Sequence, residues 1–388
     1  MIDRQMEGEI QILRNEFPII AILGPRQSGK TTLSKKIFND YEYVSFEDYD
    51  VRMFAESDPR GFLSRYSRDV IFDEIQRVPP ILSYLQTHVD QHQGNGRIVI
   101  TGSHNFLLME QISQSLAGRV GITKLLPFSM SELTDWKLDL NEFIFKGFYP
   151  RIYDQKIRPE SFYSNYISTY IEKDIRQVRQ ITKLDVFIKF MKLLAGRTGQ
   201  ELNLLALGEE TGVSHNTIME WISVLEASFI VYRLKPFHKN YNKRLVKRSK
   251  IYFTDTGLVC SLLGIKKQEE FDYHFLKGGI FETFIINEFL KLNYNLGEKY
   301  EMYFWRDNHR KEIDLILDFG LKQLAVEIKS GKTVTDRFFS GLKYWKNLTN
   351  TENENLFLIY GGTENYIRSQ INIVSWKSIL NKIVSRQL

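Results

Sequence analysis

A glycine-rich loop that follows a short apolar run constrains the fold of this chain more than any other stretch. The run is Ile19–Leu23, and residues 24–31 read Gly-Pro-Arg-Gln-Ser-Gly-Lys-Thr. A buried strand, a glycine turn and a helix start, in that order, are typical of a phosphate-binding P-loop. The glycines let successive backbone N–H groups point at one anion, and the helix N-terminus adds partial positive charge. The stretch therefore predicts a parallel α/β sheet with a nucleoside triphosphate at its edge.

Different residues of this loop are predicted to bind the phosphates and the metal ion. Lys30 is predicted to reach the β- and γ-phosphates, and the Thr31 hydroxyl to ligate Mg²⁺. The other predicted nucleotide contacts are Gly24, Gln27, Ser28, Gly29 and Thr32.

Length and composition set the broad class. A chain of 388 residues exceeds one ordinary core, so two or three domains are expected. No apolar run approaches the ~18 residues that span a bilayer, and no signal-peptide pattern opens the chain, which favours a cytoplasmic protein with no membrane partner. Cys260 is the only cysteine, so an intrachain disulfide and a cysteine-based zinc site are excluded. The net charge of +5 suggests nucleic acid only if the charge is clustered.

Three further strands are predicted at residues 41–46, 69–74 and 96–103, with helical segments between them, so a parallel sheet is expected to about residue 150. The third strand along the chain ends in Asp73 and Glu74. Asp73 is predicted to hold Mg²⁺ through its outer shell, and Glu74 to orient and polarise the attacking water. Ser103, or Thr101 beside it, ends the next strand and either senses the γ-phosphate or forms a strand-terminal turn.

Arg119 is a further candidate, as an arginine finger from the same chain or from a neighbour in a homo-oligomer. The alternative is an ordinary surface arginine, because such residues are common.

Taken together, these motifs resemble the prokaryotic AAA-type ATPases that carry a C-terminal domain of unknown function. The matching stretches are residues 24–31, 73–77, 100–103, 116–119, 127–129 with Glu132, 170–175, 253–258 and 281–282. The resemblance covers nearly the whole chain and implies an AAA-type fold that binds ATP. It does not imply what hydrolysis of ATP drives.

The middle of the chain predicts a winged helix. Residues 204–211 form a first helix, 212–214 a turn, and Ser214 caps a second helix whose buried stripe is Ile218, Trp221, Ile222 and Leu225. Residues 229–234 and 250–253 are predicted as the strands of the wing. The segment between them, 238–250, contains six Lys or Arg with interleaved Tyr and Asn, a mixture suited to phosphate contacts.

Two interpretations of this middle part stay open. If it docks on duplex DNA, His215, Asn216 and Thr217 face the major groove and binding weakens steeply with salt. Alternatively it packs on the ATPase domain and leaves a solvated basic hairpin.

A β-hairpin near the C-terminus gathers carboxylates. Gly320 suits the first position of a two-residue turn. Counting outward from a Phe319–Lys322 pair puts Asp314 opposite Glu327 and Glu312 opposite Lys329. This register buries the aliphatic residues on one face and leaves the charged residues together on the other, as a candidate metal site.

Asp314, Glu327 and Lys329, with the upstream Glu282 on an apolar helix start, resemble the PD-(D/E)XK nuclease pattern. That resemblance implies that Glu282, Asp314 and Glu327 bind Mg²⁺ and that Lys329 positions or activates water. Ile313 stands where the named pattern has proline. The alternative is a cross-strand charge network on an exposed sheet face.

The sequence thus predicts three parts: an AAA-type P-loop ATPase domain at 1–150, a helical and winged-helix domain at 151–265, and a small α/β restriction-endonuclease-like domain at 266–388. The predicted work is ATP hydrolysis coupled to DNA engagement, with metal-dependent cleavage as an addition. A rival from another class is an ATP-driven switch or scaffold that acts through protein contacts and carries an inactive nuclease-like fold.

Overall fold

A computed structural model describes residues 2–92, 94–103, 115–134, 136–171, 184–237, 248–379 and 382–383. The first part of the chain forms a five-stranded, all-parallel sheet with helices around it. Its strands are β1 Ile19–Leu23, β2 Glu42–Ser45, β3 Val70–Asp73, β4 Ile98–Gly102 and β5 Val120–Lys124. The helices are α1 Glu7–Glu16, α2 Lys30–Ile37, α3 Tyr49–Ser57, α4 Pro59–Arg65 and α5 Ile81–Gln91.

The strand order β2-β3-β4-β1-β5 confirms the predicted parallel sheet and puts the P-loop strand between β4 and β5. All five residues of β1 are buried, which explains why its sequence is apolar on both faces. The fifth strand was not predicted. Gly121 interrupts it, and three of its five positions are only half-buried, so its β signal is weak.

The middle of the chain is mostly helical. Its elements are α6 Leu140–Lys146, α7 Pro150–Asp154, α8 Pro159–Tyr166, α9 Leu184–Ala195, β6 Gln200–Glu201, α10 Leu204–Thr211, α11 His215–Ala227, β7 Val231–Pro236, β8 Lys250–Phe253 and α12 Thr256–Leu263. A π-helical turn at Ile167–Ile171 follows α8. Strand β8 pairs antiparallel with both β6 and β7. Helices α10 and α11 and strand β8 thus lie where the sequence predicts them, and β7 begins two residues later than predicted. Most of the basic segment, 238–247, lies outside the described residues.

The last part of the chain adds α13 Lys277–Asn295, β9 Glu301–Arg306, β10 Glu312–Asp318, β11 Gln323–Lys329, α14 Ser340–Thr349, β12 Leu356–Tyr360, β13 Tyr366–Arg368 and β14 Ile371–Ser375. Its strands continue the sheet of the middle part, because β7 runs parallel to β9. One nine-stranded sheet results, in the order β13-β14-β12-β11-β10-β9-β7-β8-β6. The sheet crosses residue 265, where the sequence suggested a boundary between parts.

The hairpin register is the predicted one, but the expectation of a single apolar face is wrong. Phe319 N–H donates to Lys322 O at 2.9 Å, and Leu315 lies opposite Val326. Helix α13 covers one face and α14 the other, so Ile316 and Ala325 are also fully buried. The pairing of β10 with β9 shifts between Ile313 and Ile316, and this irregularity turns Ile313 away from the face that Leu315 and Leu317 share.

Candidate active site

The P-loop follows β1 directly and its glycines have structural reasons. A Cβ added to Gly24 would lie 2.1 Å from the carbonyl oxygen of Leu125, so any larger residue would push the loop off the end of β5. Gly29 caps α2 with φ of 96°, a conformation that favours glycine. Gln27 also has positive φ, and its side chain is exposed, as is that of Thr32. The shape of the loop is thus determined by its own backbone and by its contact with the end of β5.

Lys30 folds back over this loop. Its Nζ donates to the carbonyl oxygens of Gly24 and Pro25 at 3.0 and 2.9 Å, and the side chain is buried. Burial lowers the pKa of Lys30 to about 8, while the nearby carboxylates of Glu74 and Asp73 oppose the shift. The ammonium is thus held inside the loop that it would share with a phosphate chain.

Thr31 and Asp73 meet at the carboxyl ends of β1 and β3. Thr31 Oγ1 lies 3.1 Å from both Asp73 carboxylate oxygens. Tyr43 OH donates to Asp73 Oδ2 at 2.7 Å, and the Thr101 hydroxyl donates to Oδ1. A hydroxyl beside a carboxylate fixed by two further donors is a set of hard oxygens that suits Mg²⁺. Tyr43 was not predicted, because nothing in the sequence of β2 distinguishes it from a structural tyrosine.

Glu74 occupies a left-handed turn just after β3, with φ of 56°. Its carboxylate accepts from Ser103 Oγ at 2.8 and 2.7 Å and from the side-chain amide of Gln76. Burial raises the pKa of Glu74, but Lys30 and the Ser103 hydroxyl outweigh it and hold the value below the usual range. Glu74 is therefore an ionised carboxylate beside the Thr31–Asp73 pair, and both predicted sensor residues contact the two acids.

Arg4 supports this site from the N-terminal segment. Its guanidinium donates to the carbonyl oxygens of Ser28 and Leu126 at 2.8 and 2.7 Å, and to Glu132 Oε1 at 3.0 Å. Only 7% of Arg4 is exposed. Arg4 could not be selected from the sequence, because no motif surrounds it and its partners are distant along the chain.

Arg119 lies away from the nucleotide site of its own chain. Its carbonyl accepts from Ile19 N at the start of β1, whereas the P-loop begins after the end of β1, about 13 Å further along a strand. Its side chain forms a two-point ion pair with Asp90 at 2.6 and 2.9 Å. This position is inconsistent with an arginine finger that acts on the nucleotide of the same chain. An arginine finger that acts on a neighbouring chain stays a prediction.

A second group of charged residues surrounds β10 and β11. Lys250 Nζ lies 2.9 Å from Glu282 Oε1 and also contacts Glu312, while Tyr252 OH donates to Glu282 at 2.6 Å. At the other end Lys329 Nζ contacts Asp314 at 3.2 Å and Glu327 at 2.6 Å. The four predicted residues are thus brought together, with Lys250 as an unpredicted member. We name Glu282, Glu312, Asp314, Glu327, Lys250 and Lys329 the acid cluster.

Burial and neighbouring charges act in opposite directions on the pKa values of the acid cluster. Burial raises the pKa of Glu327 to about 8, helped by the Asp314 carboxylate and opposed by Lys329. Burial also raises the pKa of Asp314, but Lys329, Lys250 and the Ile328 N–H together bring it below its usual range. Within the described residues, no group of three or more His, Cys, Asp or Glu has an arrangement that could hold a metal ion. The carboxylates face lysines instead, so the present arrangement does not fit Mg²⁺.

Helix α11 has a polar surface at its N-terminal end. Ser214 caps the helix by accepting from Thr217 N at 3.1 Å, as predicted, and His215 and Asn216 are exposed. The predicted stripe is buried: Ile218, Trp221, Ile222 and Leu225. Met219 is exposed next to this polar end.

Comparison with known families decides the class of the first part. Residues 16–134 match the family described as AAA domain. This part is an AAA-type P-loop ATPase domain. The other two matches are to families described as domains of unknown function, DUF8612 over residues 137–269 and DUF4143 over residues 277–379.

Some relatives match this chain over most of its length. An uncharacterized protein of Mycobacterium tuberculosis is 27% identical over 333 residues, which cover 85% of this chain and 74% of that one. An uncharacterized protein of Methanocaldococcus jannaschii is 24% identical over 355 residues, covering 82% and 76%. Among solved structures, the Walker-type ATPase of Pyrococcus abyssi is 13% identical with a TM-score of 0.46, covering 68% of this chain and 96% of that one. None of the helices in the described ranges is long and apolar enough to cross a membrane.

Proposed function

We propose that the AAA-type domain hydrolyses ATP with Lys30, Thr31, Asp73 and Glu74 as the acting residues. The observation that carries this proposal is the ionised Glu74 carboxylate, which lies beside the Thr31–Asp73 pair and is oriented by Ser103. Thr31 and Asp73 would hold Mg²⁺, which neutralises charge on phosphate oxygens when bound. Lys30 exchanges its carbonyl partners for phosphate oxygens, and Glu74 orients the attacking water and accepts its proton.

Steady-state ATP hydrolysis tests this proposal with Glu74→Gln. The amide keeps the size of the side chain and most of its hydrogen bonds but cannot accept a proton. We expect kcat to fall by about 10²- to 10⁴-fold, while ATP binding measured with a fluorescent analogue persists. Glu47→Gln, an exposed acid on the same side of the domain, is the matched control and should keep full activity. Unchanged turnover in Glu74→Gln would reject the assignment.

We further propose that the chain engages duplex DNA through α11 and the basic segment that precedes β8. Support comes from the exposed His215 and Asn216 at the N-terminal end of α11 and from the antiparallel strands that follow it. Such a helix places its first residues against base edges, while lysines and arginines of the following hairpin contact phosphates. Binding of this kind loses affinity steeply as salt rises.

Fluorescence anisotropy with a labelled duplex tests DNA engagement at two salt concentrations. Reversing Lys243, Arg244, Lys247 and Arg248 to Glu should abolish binding, because it replaces attraction to the phosphates by repulsion. The matched control reverses four exposed lysines elsewhere, Lys137, Lys267, Lys299 and Lys343, so that net charge changes equally. Equal loss in both variants would indicate only bulk charge, and no binding by the wild-type chain would favour the scaffold alternative.

Measuring whether duplex DNA changes the rate of ATP hydrolysis distinguishes the remaining possibilities. Stimulation of ATP turnover by duplex DNA, absent in Glu74→Gln, would connect the P-loop with α11. Nucleotide-dependent self-association without DNA affinity would favour a switch or scaffold, and loss of that association in Arg119→Ala would support a finger supplied to a neighbour. Metal-dependent cleavage by Glu282, Asp314, Glu327 and Lys329 stays a prediction, and the ion pairs of the acid cluster do not favour it.

A further inference from the structure

The acid cluster contains a lysine, Lys250, that belongs to a different secondary-structure element from the carboxylates it contacts. Lys250 is the first residue of β8 and reaches across to Glu282 on α13 and Glu312 on β10. Only 3% of Lys250 is exposed, although a lysine is seldom buried unless it is paired. Its backbone is fixed on both sides, since it pairs with Glu201 of β6 and Leu234 of β7. The ammonium is therefore delivered by rigid strands rather than by a loose loop.

The second lysine pairs with the other acids of the cluster. Lys329 bridges Asp314 and Glu327 at the far end of the cluster, and Ile328 N–H donates to Asp314 at 2.7 Å. At the rim, Arg306 lies 3.5 Å from Glu312. Each of the four acids thus contacts a side-chain cation of its own chain, Lys250, Lys329 or Arg306, so the acid cluster is paired from within the fold.

We propose that Lys250 is a built-in counter-ion that excludes divalent cations from the acid cluster, and that its ammonium links β8 to α13 and β10. Two carboxylates on different elements converge on one ammonium, which is the arrangement that a bound cation would otherwise require. The proposal goes beyond ATP hydrolysis and DNA engagement and depends on neither. The acid cluster then has a structural role, because the buried acids and Lys250 stabilise one another and removal of Lys250 would leave Glu282 without its paired cation.

A lack of access for ions from solution is not the reason why divalent cations would be excluded from the acid cluster. A polar cavity of about 550 Å³ opens onto Lys250 and Glu312 and is lined by Arg306 and Arg310 among others. A hydrated ion can enter a space of that size, so an ion should reach the carboxylates once the ammonium is gone. The prediction is that Lys250→Met converts the cluster into a site for a hard divalent cation, with Glu282, Glu312 and Asp314 as oxygen ligands.

The experiment measures Mn²⁺ binding by electron paramagnetic resonance, and the Mn²⁺-dependent shift in Tm, on full-length protein without nucleotide. Every protein carries Thr31→Ala and Asp73→Asn, so that the nucleotide site keeps neither of its two proposed metal ligands. Lys250→Met is compared with the unaltered lysine and with Lys291→Met. Lys291 is the matched control because it is equally buried, at 2% exposed, but pairs with the single carboxylate of Glu288.

We expect Lys250→Met to bind one Mn²⁺ at least about tenfold more tightly than either comparison protein, because affinity for a hard cation rises with the negative charge of the oxygen ligands. Its Tm should rise with added Mn²⁺, because a ligand that binds only the folded state stabilises it. If Lys250→Met does not fold, Lys250→Met/Glu282→Gln removes one acid with the lysine and leaves Glu312 and Asp314 to receive the ion.

Two results would overturn the proposal. One is Mn²⁺ binding by the protein that keeps Lys250, lost in Asp314→Asn, because the lysine would then not exclude the ion. The other is a folded Lys250→Met, or the folded double variant, that binds no more Mn²⁺ than Lys291→Met does.

Discussion

Burial determines the chemistry of Cys260 on α12. Its side chain is 1% exposed, and burial raises the pKa of the thiol well above its usual range, with the Asp255 carboxylate acting in the same direction. The thiolate is the form that reacts with electrophiles and disulfides. The single cysteine of the chain is therefore expected to be inert while the protein is folded.

This expectation is tested by thiol titration with a disulfide reagent at pH 8. In the unfolded chain the thiol has an ordinary pKa near 8.5, so a sizeable fraction is thiolate at that pH. In the folded chain the raised pKa keeps it neutral, and burial blocks access. We expect no reaction over the time in which guanidinium-unfolded protein releases one equivalent. Cys260→Ala is the blank, and rapid reaction without denaturant would contradict the described environment of α12.

The site residues that could be predicted from the sequence lie in local motifs, whereas those that could not be predicted depend on tertiary contacts. Lys30 and Thr31 belong to one contiguous motif, and Glu74 follows a recognisable buried strand, so spacing alone predicted their meeting. Arg4 and Lys250 belong to no pattern. Each acts through tertiary contacts, such as that of Arg4 with Glu132, 128 residues away, and such contacts have no local signal.

At the scale of elements, one arginine connects the P-loop with the segment after β5. Arg4 donates to Ser28 O in the loop and to Leu126 O, and its remaining partner, Glu132, also accepts from the backbone of Ser129 at 2.8 Å. The side chains of Arg4 and Glu132 are 7% and 1% exposed. The loop is thus held by a planar, forked donor that only arginine provides.

We predict that Arg4→Met destabilises the protein and weakens ATP binding. Removing one member of a buried pair leaves Glu132 uncompensated, which costs about 3 to 5 kcal/mol. The P-loop also loses a fixed contact, so the KM for ATP should rise more than kcat falls. Urea unfolding and steady-state kinetics measure the two effects.

Lys36→Ala is the comparison for this variant, because Lys36 forms ion pairs with Asp3 and Glu7 of the same N-terminal segment but at the surface. It should change stability and KM little, as exposed pairs contribute little. If Arg4→Lys behaves like the wild-type protein, the forked geometry of the guanidinium is not what positions the loop.

Element prediction from the sequence succeeded where a strand is buried or a turn has a required residue. β1 and the β10–β11 hairpin are examples, because continuous burial and a fixed two-residue turn leave few alternatives. It failed for β5 and for α14. The first is a half-exposed strand that contains a glycine, and the second covers a sheet face that the sequence suggested would be open.

At the scale of the molecule, the middle and last parts share a sheet and a core. β7 and β9 pair in parallel, with Lys235 opposite Tyr303. Phe148, before α7, stacks on Phe284 of α13 with ring centroids 5.9 Å apart. Asp255 accepts from Phe148 N at 2.8 Å and caps α12. A hydrophobic cluster runs without interruption from Phe128 through α13 to the last strands.

This continuity predicts that residues 266–388 alone do not fold cooperatively, whereas residues 137–388 do. The short fragment loses β7, the neighbour of β9, and exposes the face of α13 that Phe148 covers, so it keeps an unpaired strand edge and a large apolar patch. The long fragment retains both and gives up mainly contacts to the ATPase domain, such as that of Glu288 with Met130 N at 2.7 Å. Urea titrations followed by tryptophan fluorescence and far-UV circular dichroism should give one coincident transition for 137–388. A cooperative transition of 266–388 would instead mean that β9–β14 with α13 suffice as a folding unit, and that the shared sheet forms by docking of two finished parts.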